Sequence, residues 1–187
     1  MVDRLTAREV KLDEQCEVVA KLILSMRQVY SDATARQRAL LETIIGASLW
    51  YIPKPVRAWT GKISVGALQA FHPESGIGNP RLSEEHVYPR KIAARLLLTD
   101  PALTGLSLAQ QFRATYGRVH LITPEENKAV QRYQRVDVFS TPDAAYSAAG
   151  INLVELSDHL LPKVKKRNRE VIESILSRSV PPNDAAQ

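Results

Sequence analysis

Two short stretches hold the residue types best suited to chemistry. The first is Glu85-His86-Val87-Tyr88-Pro89-Arg90; the second is His120-Leu121-Ile122-Thr123-Pro124-Glu125-Glu126-Asn127-Lys128. The Glu85 carboxylate and the Asn127 amide are hard oxygen donors of the kind a magnesium-class ion takes, in company with water and phosphate oxygens. His86 titrates near neutral pH, so it can take a proton without being a ligand. Adjacent residues of a regular strand point to opposite faces. A straight backbone would therefore part Glu85 from His86, and both serve one site only if the chain bends.

An acidic residue directly before a His, with Pro three residues after the His, resembles one half of the HNH (ββα-metal) nuclease motif. An apolar strand, a capped turn and an Asn at a helix start resemble the other half. The resemblance covers about residues 80–135. It implies a β-hairpin carrying the His and a following helix that supplies Asn to a metal. Carried onto this chain, it makes His86 the general base and Glu85 and Asn127 the metal ligands. The implied cofactor is Mg²⁺, Mn²⁺ or another divalent cation, and the implied activity is hydrolysis of phosphodiester bonds in nucleic acid, with double-stranded DNA the expected partner. Two departures stand out. Residues 91–116 are inserted between the halves as two helices, and Gly117-Arg118 stands where the family has its middle Asn.

Arg90, Lys91, Arg118 and Lys128 flank the two stretches. Cations so placed are candidate nucleic-acid contacts, because they can hold a phosphate or offset charge developing on it. His120 reads as a structural histidine, His72 as a solvated loop residue, and Tyr88 as a buried strand aromatic. The run Lys163, Lys165, Lys166, Arg167, Arg169 is either a solvated helix face or a track for a polyanion.

The elements that must position these groups follow from patterning. Val10, Leu12, Cys16, Val19, Ile23 and Met26 recur at helical spacing, and Cys16 reads as a small buried apolar residue. Ser31-Asp32 is expected to break that helix and cap a second one from Ala33 to about Leu49, which Pro53 and Pro55 end. Residues 59–71 carry short apolar runs, weakly strand or helix. Residues 72–80 are a loop by composition. Val87-Tyr88 favours strand. Residues 91–98 and 107–115 read as helices, and 118–122 as a strand. Thr123-Pro124-Glu125-Glu126 spells a helix start, with Thr at N-cap, Pro at N1 and a capping-box Glu. Thr141-Pro142-Asp143 repeats this chemistry, and Gly150 stops the helix it opens. A last helix is expected over 152–178, broken at Pro162.

The expected fold is α+β and predominantly helical, with the small ββα element surrounded by helices. Its regions are 1–55 helical, 56–137 the nuclease-like core with its insertion, 138–178 helical, and 179–187 a disordered tail, all forming one compact domain. The chain of 187 residues carries 25 Lys and Arg against 20 Asp and Glu, a net charge of +5 that favours polyanionic partners. Its single cysteine rules out an internal disulfide and a Cys-rich zinc site, so no structural zinc is expected. The charged N-terminus lacks a signal-peptide core and no stretch is apolar enough to span a bilayer, so no membrane partner and a cytoplasmic location are expected. A homodimer is one use for part of the apolar N-terminal surface. Two other functions fit the same composition: a basic helical nucleic-acid-binding protein without catalysis, and a helical interaction or inhibitor protein.

Overall fold

Helix starts in this chain are written by side-chain caps. Thr6, Thr34, Ser64, Thr104, Thr123 and Thr141 each accept a backbone N–H from the first turn of the helix that follows. Each cap satisfies a donor that the helix itself leaves unpaired. The computed structural model describes residues 6–179. In chain order the elements are α1 (Ala7–Asp32), α2 (Ala35–Trp50), β1 (Trp59–Ser64), α3 (Val65–Phe71), β2 (Ser83–His86), α4 (Arg90–Thr99), α5 (Gly105–Gln111), β3 (Val119–Ile122), α6 (Pro124–Gln131), α7 (Pro142–Ala148), β4 (Leu153–Glu155), α8 (Leu161–Lys165) and α9 (Arg169–Ser179). The protein is α+β, 60% helical, with a small four-stranded mixed sheet. Among the described residues no helix is long and apolar enough to cross a membrane.

Four expectations are corrected in detail. The cap of α2 is Thr34, which forms a reciprocal capping box with Gln37, while Ser31 and Asp32 still belong to α1. The strand before α4 is Ser83–His86, so Val87 and Tyr88 lie beyond its end. The helix expected over 107–115 is α5 followed by a π-turn at Phe112–Tyr116. The long C-terminal helix is interrupted more deeply than a Pro162 break would do. Leu153–Glu155 forms β4, antiparallel to β1 in the register Lys62↔Glu155, Ile63↔Val154, Ser64↔Leu153. The ambiguous stretch 59–71 is a strand and then a helix, changing at Ser64. The expected tail lies outside the described residues, apart from Ser179 at the end of α9.

The chain packs as two compact units, each assembled from separate stretches. One comprises the residues up to Ala58, His86–Val119 and Arg135–Asp137; the other comprises Trp59–Glu85, His120–Gln134 and the chain from Val138 on. Each draws on more than one of the regions marked out by sequence. In the first unit α1, α2, α4 and α5 enclose a core that includes Leu12, Cys16, Ile23, Ile45, Leu97 and Leu108, all fully buried. Burial raises the Cys16 thiol to about 12, so it is an inert packing group. Helices α1 and α5 approach so closely that a β-carbon at Gly105 would meet the backbone of Glu17 at 2.9 Å. Glycine is required there by space alone.

The second unit is built on the sheet, ordered β2-β3-β1-β4. Ile63, Leu68, Leu121, Val164 and Ile172 are buried together where α3, α8 and α9 pack on it. Ile122, Val130, Ala145, Tyr146 and Ile151 form another cluster, shared with α6 and α7. The first turn after α8 closes with Arg167 N–H on the Val164 carbonyl at 2.8 Å and Asn168 N–H on the Lys163 carbonyl at 3.1 Å. This is the paired closure of a left-handed helix cap, and Arg167 takes φ 59 where glycine is usual.

Candidate functional site

β2 and β3 are neighbours in the sheet although α4 and α5 lie between them in sequence, and α6 begins directly after β3. The start of α6 is tightly specified. Thr123 Oγ1 accepts from Glu126 N–H at 3.1 Å, and Glu126 Oε2 accepts from Thr123 N–H at 2.8 Å. Pro124 sits at N1, where its missing N–H costs nothing. Asn127 follows one turn into the helix, half-buried, and its Oδ1 accepts from Gln131 Nε2 at 3.4 Å.

Glu85 and His86 are the last two residues of β2, both half-buried. Glu85 Oε1 accepts a hydrogen bond from Gln134 Nε2 at 3.0 Å. Gln134 lies three residues beyond α6, so the chain leaving that helix orients the carboxylate. Nδ1 of His86 is shielded from solvent. Just beyond β2, Val87 N–H donates to the Arg118 carbonyl at 3.0 Å. The chain passes from the second unit to the first between Glu85 and His86, and returns between Val119 and His120.

The flanking cations take different positions. Arg90 opens α4 and stacks its guanidinium on the Trp50 ring, 3.4 Å from the centroid. Lys91 follows it, half-buried, and both belong to the first unit. Arg118 precedes β3 and its Nε is buried. Lys128 is exposed on α6, in the second unit. In the basic run, Lys163, Lys165 and Lys166 are exposed. Arg169 pairs with Glu74 and Glu173 at 2.8 Å each, and Arg167 is turned onto backbone carbonyls.

Patterning does not link Thr60, Gln134 and Tyr146 to this segment. In the structure His120, 4% exposed, shares a 2.6 Å hydrogen bond between its Nδ1 and Thr60 Oγ1. Its ring meets that of Tyr146 edge-on, centroids 5.2 Å apart. Tyr146 is buried, and its hydroxyl has no hydrogen-bond partner among the described residues. Burial, followed by the nearby Glu85 charge, holds that hydroxyl well above the ordinary tyrosine range, so it stays protonated. The one local signal was an aromatic on an otherwise small-residue helix, AAYSAAG, and that alone reads as core.

Among the described residues no three His, Cys, Asp or Glu side chains are grouped so as to hold a metal. A divalent ion at Glu85 would need an amide as well as water to complete its shell. Glu85 and Asn127 suit such an ion by donor chemistry, since each is a half-buried residue with an oxygen that accepts from a glutamine amide. Comparison with known proteins finds no matching family model, no similar curated protein and no similar solved structure.

Proposed function

We propose that this chain is a divalent-metal-dependent endonuclease of the HNH type, hydrolysing phosphodiester bonds in nucleic acid, with DNA the expected substrate. The observation that carries the reading is the strand–strand–helix order. β2 ends in Glu85-His86 and lies beside β3, which leads straight into the capped helix bearing Asn127. In this reading His86 removes the proton from the attacking water. Glu85 and Asn127 supply oxygen ligands to Mg²⁺ or Mn²⁺. The bound ion would offset charge on the phosphoryl oxygens. Gln134 holds the Glu85 carboxylate in place, and Arg90, Lys91, Arg118 and Lys128 supply positive charge for the backbone of the substrate. Gly117-Arg118 replaces the family's middle Asn, so orientation of His86 falls to the backbone pairing of Val87 with Arg118.

A non-catalytic nucleic-acid-binding protein is the second reading. It is favoured by the absence of a three-residue His, Cys, Asp or Glu group among the described residues. Supercoiled plasmid incubated with Mg²⁺ or Mn²⁺, and with EDTA as control, separates the two. The nuclease reading expects metal-dependent nicking that His86→Ala lowers by at least about a hundredfold. Salt-sensitive binding without any cleavage leaves the second reading standing. Cleavage unchanged in His86→Ala overturns the role given to His86.

A further inference from the structure

Two arginines line one cavity of the first unit, where α1 ends and α2 begins beside the end of α4. The cavity measures about 510 Å³; Arg27 and Arg38 face it, and Tyr30, Leu98 and Pro101 form part of its wall. Neither α1 nor α4 carries a basic residue in its own last turn, so both helix ends borrow a cation. Arg38 reaches over from α2 to the end of α1. Its Nε donates to the Tyr30 carbonyl at 3.2 Å and its Nη2 to the Ser31 carbonyl at 2.9 Å, with the guanidinium over the Tyr30 ring, 5.7 Å from the centroid. Arg27 reaches from α1 to the end of α4, where its Nη2 donates to the carbonyls of Leu97 and Asp100.

These bonds hold both guanidiniums in place without neutralising them. A helix C-terminus is worth about half a negative charge, against a full positive charge on each arginine. Neither arginine forms an ion pair among the described residues, and Nη1 of each bonds to none of them. The nearby carboxylates have other partners. Asp32 is exposed and accepts from Gln28 Nε2 at 2.8 Å. Asp100 accepts from Ala102 N–H at 2.9 Å and from Gln111 Nε2 at 3.3 Å. Among the described residues no Asp or Glu lines the cavity.

We propose that this cavity binds a phosphomonoester, its phosphoryl group held by Arg27 and Arg38 and its organic part lying against Leu98 and Pro101. Charge and size select that class. Two guanidiniums match a group that carries about −1.5 to −2 at neutral pH, which a phosphomonoester does and a lone carboxylate does not. The planar guanidinium fork suits phosphoryl oxygens. Small-molecule sites run from about 300 to 1,000 Å³, so a bare phosphate would leave most of this one empty. A free organic phosphate and the 5′-phosphate of a nucleic-acid strand present the same group. The site lies wholly within the first unit and does not rest on the nuclease reading.

The test uses the full chain in EDTA, so that no metal ion bridges phosphate to a carboxylate elsewhere. Titration calorimetry compares phenyl phosphate with phenyl sulfate, a monoanion of similar shape. Phenyl phosphate is expected to bind at least about tenfold tighter, and Arg38→Gln to remove about tenfold of its affinity. Arg36→Gln, which changes an exposed arginine of the same helix outside the cavity, should leave binding unaltered. Arg27→Lys keeps the charge and loses the fork, so it should fall between wild type and Arg38→Gln. An oligothymidylate strand with a 5′-phosphate, set against the same strand with a 5′-hydroxyl, separates the two sources. An Arg38-dependent preference for the phosphorylated strand, without binding of phenyl phosphate, supports the site and assigns its phosphate to a strand end. Phenyl phosphate binding that phenyl sulfate matches, or that both arginine variants leave unchanged, overturns the proposal. A wild-type chain that binds neither phosphorylated probe overturns it too.

Discussion

Ser64 Oγ donates to Glu126 Oε2 at 2.5 Å. The same hydroxyl accepts from Ala67 N–H at 3.0 Å, and the same carboxylate closes the capping box at Thr123. One side chain thus joins the starts of α3 and α6. Ser64→Ala removes a helix cap, about 1 kcal/mol, and a hydrogen bond to a charged group, about 1.5–3 kcal/mol. We expect a loss of about 2–4 kcal/mol by urea denaturation, of which Ser64→Thr restores part. A loss under about 1 kcal/mol would show that the shared bond contributes little.

The Arg167 side chain explains why a left-handed cap position is not glycine. Its guanidinium donates to the carbonyls of His72, Pro73 and Ile77 at 3.0–3.2 Å, fastening the loop before β2 to the turn between α8 and α9. Arg167→Ala keeps the strained φ and loses the clamp; Arg167→Gly loses the clamp but relieves the strain. The Gly variant should therefore be more stable than the Ala variant by about 1 kcal/mol, with both below wild type. Thermal melts of the three proteins check the order.

In the first unit, Glu42 is 1% exposed and accepts from Tyr30 Oη at 2.9 Å and Arg95 Nε at 2.8 Å. Its other oxygen is buried without a hydrogen-bond partner among the described residues. Removing Arg95 strands a buried charge, so Arg95→Ala should cost about 3–5 kcal/mol. Replacing both partners, as in Glu42→Leu with Arg95→Met, should cost much less than either charge-stranding change. A double-mutant cycle measures the difference.

What the sequence made legible was local. The capping box at Thr123 with Glu126, the Pro at N1, the Thr141 cap and burial of Cys16 all rest on neighbours within a turn or on one helix face, and all are observed. Gly150 follows α7 with φ 69, as a helix stop requires. β4 was not legible, because Leu153-Val154-Glu155 becomes strand only through its pairing with residues 62–64. The same reason hid Gln134, Thr60 and Tyr146: their partners are remote in sequence, and no period links them. The exposed pair Trp50-Tyr51 was hidden too, since a helix end rich in apolar residues reads as core.

Stability should fall at both ends of the pH scale, from different groups. Glu9 is held below the usual carboxylate range, chiefly by Val56 N–H and then by Arg113. Its contribution is present above the ordinary carboxylate value and is lost as pH falls through the depressed one. Tyr30, Tyr116 and Tyr146 are all raised, first by burial. Their contribution is complete below the ordinary tyrosine value, near 10, and is lost as pH climbs through the raised ones. Denaturant midpoints across pH should show an acid limb that Glu9→Gln flattens and an alkaline limb that Tyr146→Phe flattens.

Tyr146→Phe carries a further expectation. Its hydroxyl is buried with no hydrogen-bond partner among the described residues, so deleting it should raise stability by about 1 kcal/mol. If the proposed nuclease uses that hydroxyl near Glu85, plasmid cleavage falls in the same variant. Stability gained with activity lost identifies a group retained for chemistry, whereas lowered stability shows that the hydroxyl is satisfied after all.

The pairing of β1 with β4 sets an order on synthesis. β1 leaves the ribosome long before residues 153–155 exist, and its open edge must wait for them. Neither unit is a continuous stretch, so no single cut separates them: a chain ending at Asp137 keeps the first unit's stretches together with pieces of the second, and one starting at Trp59 keeps the second unit's with pieces of the first. Closing the sheet therefore depends on pairings remote in sequence, which slow folding, and a chain ending before β4 is left with the β1 edge open.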